Sequence, residues 1–273
     1  MRVGVFVCLE HGLRQNFEKM KDIGIDNCQL GCWHPELFTD ENAKEINALK
    51  DEFGITVTAF WCGWSGPVHW NFTEGPVTLG LIPEKYRVTR VDELKRGGDF
   101  AKKLGITDVI THCGFLPESP SYPEYRPILS AIVEVAEHLK ANGQNFLFET
   151  GQETPITLRR VIEDCDTGNL GINLDPANLI LYGKANPVDA LDIIGEFVHG
   201  VHAKDGLYPT NGVYLGREVK VGEGKGNFPA LVKKLHELGY DGYLTIEREI
   251  SGEQQMRDIV ETKEYLEKLI KSL

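Results

Sequence analysis

Two rhythms of apolar residues alternate along this chain. Runs of about five residues rich in Val, Ile, Leu and Phe are followed by longer stretches in which apolar residues recur every third or fourth position. The first rhythm suits a strand buried on both faces, and the second an amphipathic helix. Strands are predicted at Arg2–Cys8, Asn27–Cys32, Ile55–Trp61, Asp108–His112, Asn145–Glu149, Leu170–Asp175, Val198–His202 and Tyr243–Glu247. Between them the helical rhythm runs over Asn16–Ile25, from an N-cap at Thr39 or Asp40 to Phe53 with Gly54 as its stop, and over Lys85–Leu104, Tyr125–Lys140 and Thr157–Asp164. It continues over Pro187–Phe197 behind Asn186, from Asn227-Phe-Pro-Ala to Leu238, and over Gln254–Leu273. Eight strand and eight helix signals in alternation call for parallel strands joined by right-handed crossovers. That number favours a closed (β/α)8 TIM barrel, a single domain over residues 1–273, above a doubly wound sheet. No Gly-x-Gly-x-x-Gly follows the first strand, which counts against a dinucleotide site.

Four of the strands share a further property. Asn145-Phe-Leu-Phe-Glu149 and Leu170-Gly-Ile-Asn-Leu-Asp175 end in carboxylates, Val198-His-Gly-Val-His202 in an imidazole, and Tyr243-Leu-Thr-Ile-Glu247 in a third carboxylate. The first three lie 26 and 27 residues apart, the fourth 45 further on, so one enlarged loop is expected before the last strand. Barrel strands point their C-terminal ends at one face, where active sites are built. A Glu at a strand end is usually solvated or salt-bridged, and a lone His is more often a satisfied core residue. In register at four consecutive strand ends, Glu149, Asp175, His202 and Glu247 form a hard, oxygen-rich donor set. It suits one divalent ion, Mn2+ first, with Mg2+, Co2+ or Zn2+ as alternatives. Four protein donors leave two places on a six-coordinate ion for adjacent substrate oxygens.

Charge and composition narrow the partners. A net charge of -12 over 273 residues argues against a nucleic-acid backbone as partner. No apolar run approaches the ~18 residues that cross a bilayer. Met1–Val5 reads as the start of a strand rather than a signal peptide. The six cysteines form no Cys-x-x-Cys pair and read as reduced structural thiols, which points to a cytoplasmic protein. The glycines of Val221-Gly-Glu-Gly-Lys-Gly226 lack the Lys-Ser/Thr ending of a phosphate loop and read as the turn into the next helix.

The loops at the strand ends supply the remaining candidates. Residues 62–83 hold Trp64, His69, Trp70 and Phe72. Such a loop either lies over the barrel mouth, where aromatics stack on a sugar, or has a small core of its own. Trp61, which ends the strand below it, is a candidate substrate contact. His112 is a candidate substrate ligand or base, and His11 and His34 are weaker ones. Lys204 would neutralise an anionic substrate or pair with Glu247 or Asp205. Gln152 and Glu153 would bind sugar hydroxyls. His138, His199 and His236 read as structural.

Several motifs together resemble the xylose isomerase-like TIM-barrel superfamily of sugar isomerases and epimerases, which also includes endonuclease IV. They are Phe148-Glu149-Thr-Gly, Leu174-Asp175-Pro-Ala-Asn178, Val201-His202-Ala-Lys-Asp205-Gly, Phe228-Pro-Ala-Leu and Gly239-Tyr-Asp-Gly-Tyr-Leu-Thr-Ile-Glu247-Arg-Glu. The resemblance implies that Glu149, Asp175, His202 and Glu247 are the metal ligands. From the ketose 3-epimerase branch it implies that Glu149 and Glu247 are also the acid/base pair, on opposite faces of a carbon next to a carbonyl. The metal would stabilise the enediolate formed between them. Asn178 stands where that branch commonly has a substrate-binding His, and no Arg closely follows His202. The His-Ala-Lys-Asp-Gly form is similar to a wider group that includes inosose dehydratase and lyases acting on 3-keto-glycosides.

The expected function is therefore a metal-dependent isomerase or epimerase of keto-sugars. The alternative is a lyase or dehydratase acting on a keto-sugar, 3-keto-glycoside or keto-inositol at the same site. An apurinic endonuclease would need more metal ligands and a basic face. A non-catalytic sugar-binding barrel is the remaining reading. The resemblance also implies a small-molecule sugar as substrate and a homo-oligomer, dimer or tetramer.

Overall fold

The computed structural model describes residues 1–273. Eight parallel strands close into a barrel: β1 (Arg2–Cys8), β2 (Asn27–Cys32), β3 (Thr56–Cys62), β4 (Asp108–Thr111), β5 (Asn145–Glu149), β6 (Leu170–Leu174), β7 (Val198–Ala203) and β10 (Tyr243–Ile246). Around the ring the order is β1, β10, β7, β6, β5, β4, β3, β2. Each strand therefore pairs with its neighbours in sequence, and the last closes on the first through Arg2↔Tyr243 to Val5↔Ile246. Outside lie α1 (Leu13–Asp22), α2 (Asp40–Phe53), α3 (Glu84–Lys103), α4 (Tyr125–Ala141), α5 (Pro155–Cys165), α7 (Pro187–Ile194), α8 (Phe228–Glu237) and α9 (Glu253–Lys271). No helix is long and apolar enough to cross a membrane, and all six cysteines are free thiols.

Local chemistry sets the helix ends. Thr39 Oγ1 accepts from the Asn42 amide at 3.2 Å at the start of α2, and Gly54 ends it at a φ of 61°. Asn186 caps α7 by accepting from the Val188 amide at 2.9 Å, with Pro187 at the first helical position. The helices bury one face each: in α4 this face is Ile128, Ile132, Val135 and Leu139. Between strands and helices lies the main apolar core, and a smaller cluster of Ala59, Trp61, Ile110 and Leu147 fills the barrel interior with Phe6 and Trp33.

Three features depart from the sequence pattern. The first helix starts at Leu13, because Gly12 at a φ of 72° turns the chain directly into it. A short helix, α6 (Pro176–Leu181), follows β6; all six of its residues are buried, so it has no amphipathic signature. The expected loop over 204–226 contains a hairpin, β8 (Asp205–Leu207) against β9 (Arg217–Val219), whose strands are too short to show a period.

Two loops near the mouth owe their shape to single side chains. The Asp205 carboxylate is buried and accepts from the amides of Gly206 and Gly226 at 2.8 Å and of Gly222 and Gly224 at 3.0 Å. A Cβ on Gly224 would lie 2.1 Å from Asp205 Oδ1, so the glycines let the backbone wrap this carboxylate. The amides that a phosphate loop would offer to a ligand are already used. In residues 62–83 the fully buried Arg90 of α3 donates to the carbonyls of Ser65 (3.0 Å), Pro67 (3.2 Å), Thr78 and Gly80 (both 2.7 Å). Its guanidinium stacks on Trp64 at 4.0 Å. This loop thus has its own core, and it still presents Trp70 to the barrel mouth.

Candidate metal centre

Glu149 ends β5, Asp175 follows β6, His202 lies near the end of β7, and Glu247 follows β10. These strands are consecutive around the barrel, so the four side chains converge. One donor atom from each lies within 4.8 Å of the others. His202 Nδ1 is central: it is 3.1 Å from Glu149 Oε1, 3.2 Å from Glu247 Oε2 and 3.7 Å from Asp175 Oδ2.

Each of the four side chains is held by a second contact. Asp175 divides its oxygens: Oδ1 accepts from the Asn178 amide at 2.9 Å and caps α6, while Oδ2 is buried without a hydrogen-bond partner, 3.6 Å from the Lys204 ammonium. His202 Nε2 meets Gln29 Oε1 at 2.7 Å, and Gln29 Nε2 donates to Asn173 Oδ1 at 3.0 Å. That chain places the imidazole proton on Nε2 and turns the Nδ1 lone pair to the centre. Nδ1 is likewise buried without a hydrogen-bond partner. Glu149 accepts from Trp61 Nε1 and from Asn178 Nδ2 at 3.4 Å. Lys204 Nζ lies 3.0 Å from Glu247 Oε2 and 2.7 Å from Glu249 Oε1.

The charges give a second indication. Burial disfavours protonated His202, yet Glu149 and Glu247 outweigh it and hold the imidazole pKa well above 6.5. Burial raises the Asp175 carboxyl pKa. Burial acts in the same direction on Glu247, but Lys204 and His202 overcome it and hold that carboxyl well below the usual range. Three carboxylates in a buried site thus carry more negative charge than the Lys204 ammonium balances, and charging the imidazole as well would still leave a net negative charge. Unpartnered buried donors and surplus negative charge are both what a dication corrects, so these residues fit one.

The cluster opens into a cavity of about 910 Å3. Glu149, Asn178, Lys204 and Glu247 line one side, and Trp33, Trp61, Trp70 and His112 the other. The ring centroids of Trp33 and Trp61 are 4.3 Å apart, those of Trp70 and His112 5.1 Å. The sequence pattern of the xylose isomerase-like TIM barrel family matches residues 17–269. The chain belongs to that family. Among solved structures of the family fold, a xylose isomerase domain protein from Planctomyces limnophilus superposes with a TM-score of 0.93 at 37% identity, over 99% of this chain and 97% of that one. A D-tagatose 3-epimerase-like protein superposes with a TM-score of 0.76 at 26% identity, over 99% and 97%. The fructoselysine 3-epimerase of Escherichia coli O157:H7 is 24% identical over 90% of each chain. The relatives of this xylose isomerase-like barrel thus include sugar epimerases.

The remaining candidates divide in this family member. Trp61, His112, Asn178 and Lys204 line the cavity, as does His11 at its edge. His112 Nε2 stands 3.8 Å from Glu149 Oε1, and its Nδ1 is unpartnered. Glu153 does not line the cavity: it is buried behind the wall, and burial pushes its pKa up to about 8. Gln152 lies buried beside it with both amide atoms unpartnered. His34 is exposed and pairs with Glu36 at 3.2 Å. His138 pairs with Asp99 at 2.8 Å on the outer surface.

Sequence reasoning missed Gln29, Asn173 and Trp33. Gln29 and Asn173 are amides in the middle of wholly buried strands, and this was the available signal. Gly200 belongs with them, since a Cβ there would lie 2.4 Å from Asn173 Oδ1.

Proposed function

We propose that this barrel is a divalent-metal-dependent isomerase or epimerase of keto-sugars, with Glu149 and Glu247 exchanging a proton at a carbon next to the carbonyl. The observation that carries the reading is the pair itself. Two carboxylates from different strand ends flank His202 Nδ1 at 3.1 and 3.2 Å and line one cavity. One takes the proton, and the other returns it from the far side. Glu149, Asp175, His202 and Glu247 would hold the metal, with Mn2+ proposed first and Mg2+, Co2+ or Zn2+ as alternatives. When bound, such an ion supplies charge stabilisation to the oxygens of the substrate. Asn178 and His112, beside Glu149, would orient the carbonyl and hydroxyls, and the tryptophans would cover the apolar face of the sugar and exclude water. The epimerases among the relatives support the same reading.

A second reading, a lyase or dehydratase on a keto-sugar, rests on Lys204. Its ammonium is buried, lines the cavity and lies 3.0 Å from Glu247, where it could assist a departing oxygen. Product analysis separates the two. Metal-loaded protein is incubated with ketoses, 3-keto-glycosides and keto-inositols and followed by NMR. Appearance of an epimer or an aldose/ketose partner is expected. Release of water or an aglycone instead would replace the first reading with the second.

A further inference from the structure

The cavity continues past the metal cluster. It touches Phe6 and Trp61 inside the barrel, and also Val5, Val7, Met20 and Ile259, which belong to the core between strands and helices. It therefore crosses the barrel wall, and the strand pairing shows where. β1 and β10 pair only as far as Val5↔Ile246. Beyond that point β1 runs on to Cys8, while the Glu247 amide donates to Ala203 of β7 at 3.2 Å. The seam opens between Cys8 and residues 247–251, all of which line the cavity. Behind it lies a chamber between α1 and α9, walled by Val5, Val7, Met20, Ile23, Met256 and Ile259.

We propose that this side chamber binds an apolar substituent carried by the sugar, an alkyl or aryl group, so that the preferred substrates are substituted keto-sugars rather than free monosaccharides. The inference rests on the sugar chemistry proposed for the metal centre. The hydroxyls of a free sugar would find no partner among these six side chains, and burying them there would cost free energy. An alkyl chain gains from the same surface, about fourfold in affinity per methylene buried. The chamber is continuous with the site of Glu149 and Glu247, so one molecule can occupy both. Asn16, Lys19 and Gln255 line the same cavity and supply polar groups next to the apolar wall.

The test compares methyl β-D-glucoside with hexyl β-D-glucoside as probes, by calorimetry on the metal-loaded full chain. Wild type is expected to bind the hexyl compound at least tenfold more tightly. Met256→Trp and Ile23→Trp fill the chamber from α9 and from α1, at half-buried positions, and are expected to cancel that preference while leaving methyl glucoside binding and the melting temperature unchanged. Met256→Ala is expected to keep the preference and controls for a folding defect. Equal affinity for the two probes in wild type overturns the proposal, and so does a hexyl preference that survives both Trp variants. Loss of turnover on every keto-sugar with the hexyl preference intact would remove the sugar reaction and leave the chamber. Turnover without the preference would do the reverse.

Discussion

The two sides of the barrel mouth are built on different principles. On the side of β5, β6, β7 and β10, four ionisable side chains are fixed by second contacts and leave two buried donor atoms unpartnered. On the side of β2, β3 and the loop after it, Trp33, Trp61 and Trp70 pack on one another around His112. The first side is pre-organised for charge, and the second offers shape and dryness. Two contacts at Glu149 join them: the Trp61 indole N–H donates to it, and His112 Nε2 stands 3.8 Å from its Oε1. The contrast implies that damage to the first side removes chemistry, whereas damage to the second changes how substrate is held.

The largest effect is expected from Glu149→Gln and Glu247→Gln. Each is expected to lower kcat by about 10^2- to 10^4-fold with the fold unchanged by circular dichroism. A variant that altered affinity alone would mean a binding protein. Next comes Gln29→Leu, which removes the hydrogen bond that orients His202. Metal affinity is expected to fall about 10- to 100-fold, read by competition with a chelating dye. Retention of full affinity would deny Gln29 its orienting role. Trp70→Ala acts on the other side. It is expected to raise KM about threefold to tenfold with kcat nearly unchanged, and a collapse of kcat instead would erase the distinction between the two sides.

The smallest effect concerns stability rather than turnover. Burial raises the Glu153 carboxyl from an ordinary 4.5 to about 8. The native state therefore keeps a proton that the unfolded chain gives up. Stability is greatest below about pH 4.5 from this group, and falls as pH rises towards 8. Glu153→Gln is neutral at every pH and is expected to flatten that decline, which amounts to a few kcal/mol at most, on the order of the linked pKa change. Parallel wild-type and variant denaturation curves from pH 5 to 8 would show that Glu153 ionises freely.

The side that carries charge was far more legible in the sequence than the side that carries shape. Glu149, Asp175, His202 and Glu247 stand at strand ends, and the strand rhythm alone sets their common direction. Trp61 could be placed for the same reason. For Trp70 the sequence left two placements open, over the mouth or in a loop core, because the path of its loop depends on tertiary contacts such as the four carbonyls that Arg90 gathers, and Trp33, just past β2, carried no local signal. Glu153 looked equivalent to its neighbours by position, but the turn after β5 carries it behind the cavity wall. The helix at Pro176–Leu181 escaped because six residues, all buried, have no polar face. The seam beside β1 was invisible, because it depends on where pairing stops rather than on which residues form the strands.

Deuterium wash-in tests the central claim most directly. Metal-loaded wild type, Glu149→Gln and Glu247→Gln, each brought to the same measured metal occupancy, are incubated in D2O with a keto-sugar that wild type converts. Deuterium is expected at the carbon beside the carbonyl of the product with wild type, and deuterated product is expected at least a hundredfold more slowly with each variant. Undiminished formation of deuterated product with both variants would show that the proton is moved by other groups and would contradict the account.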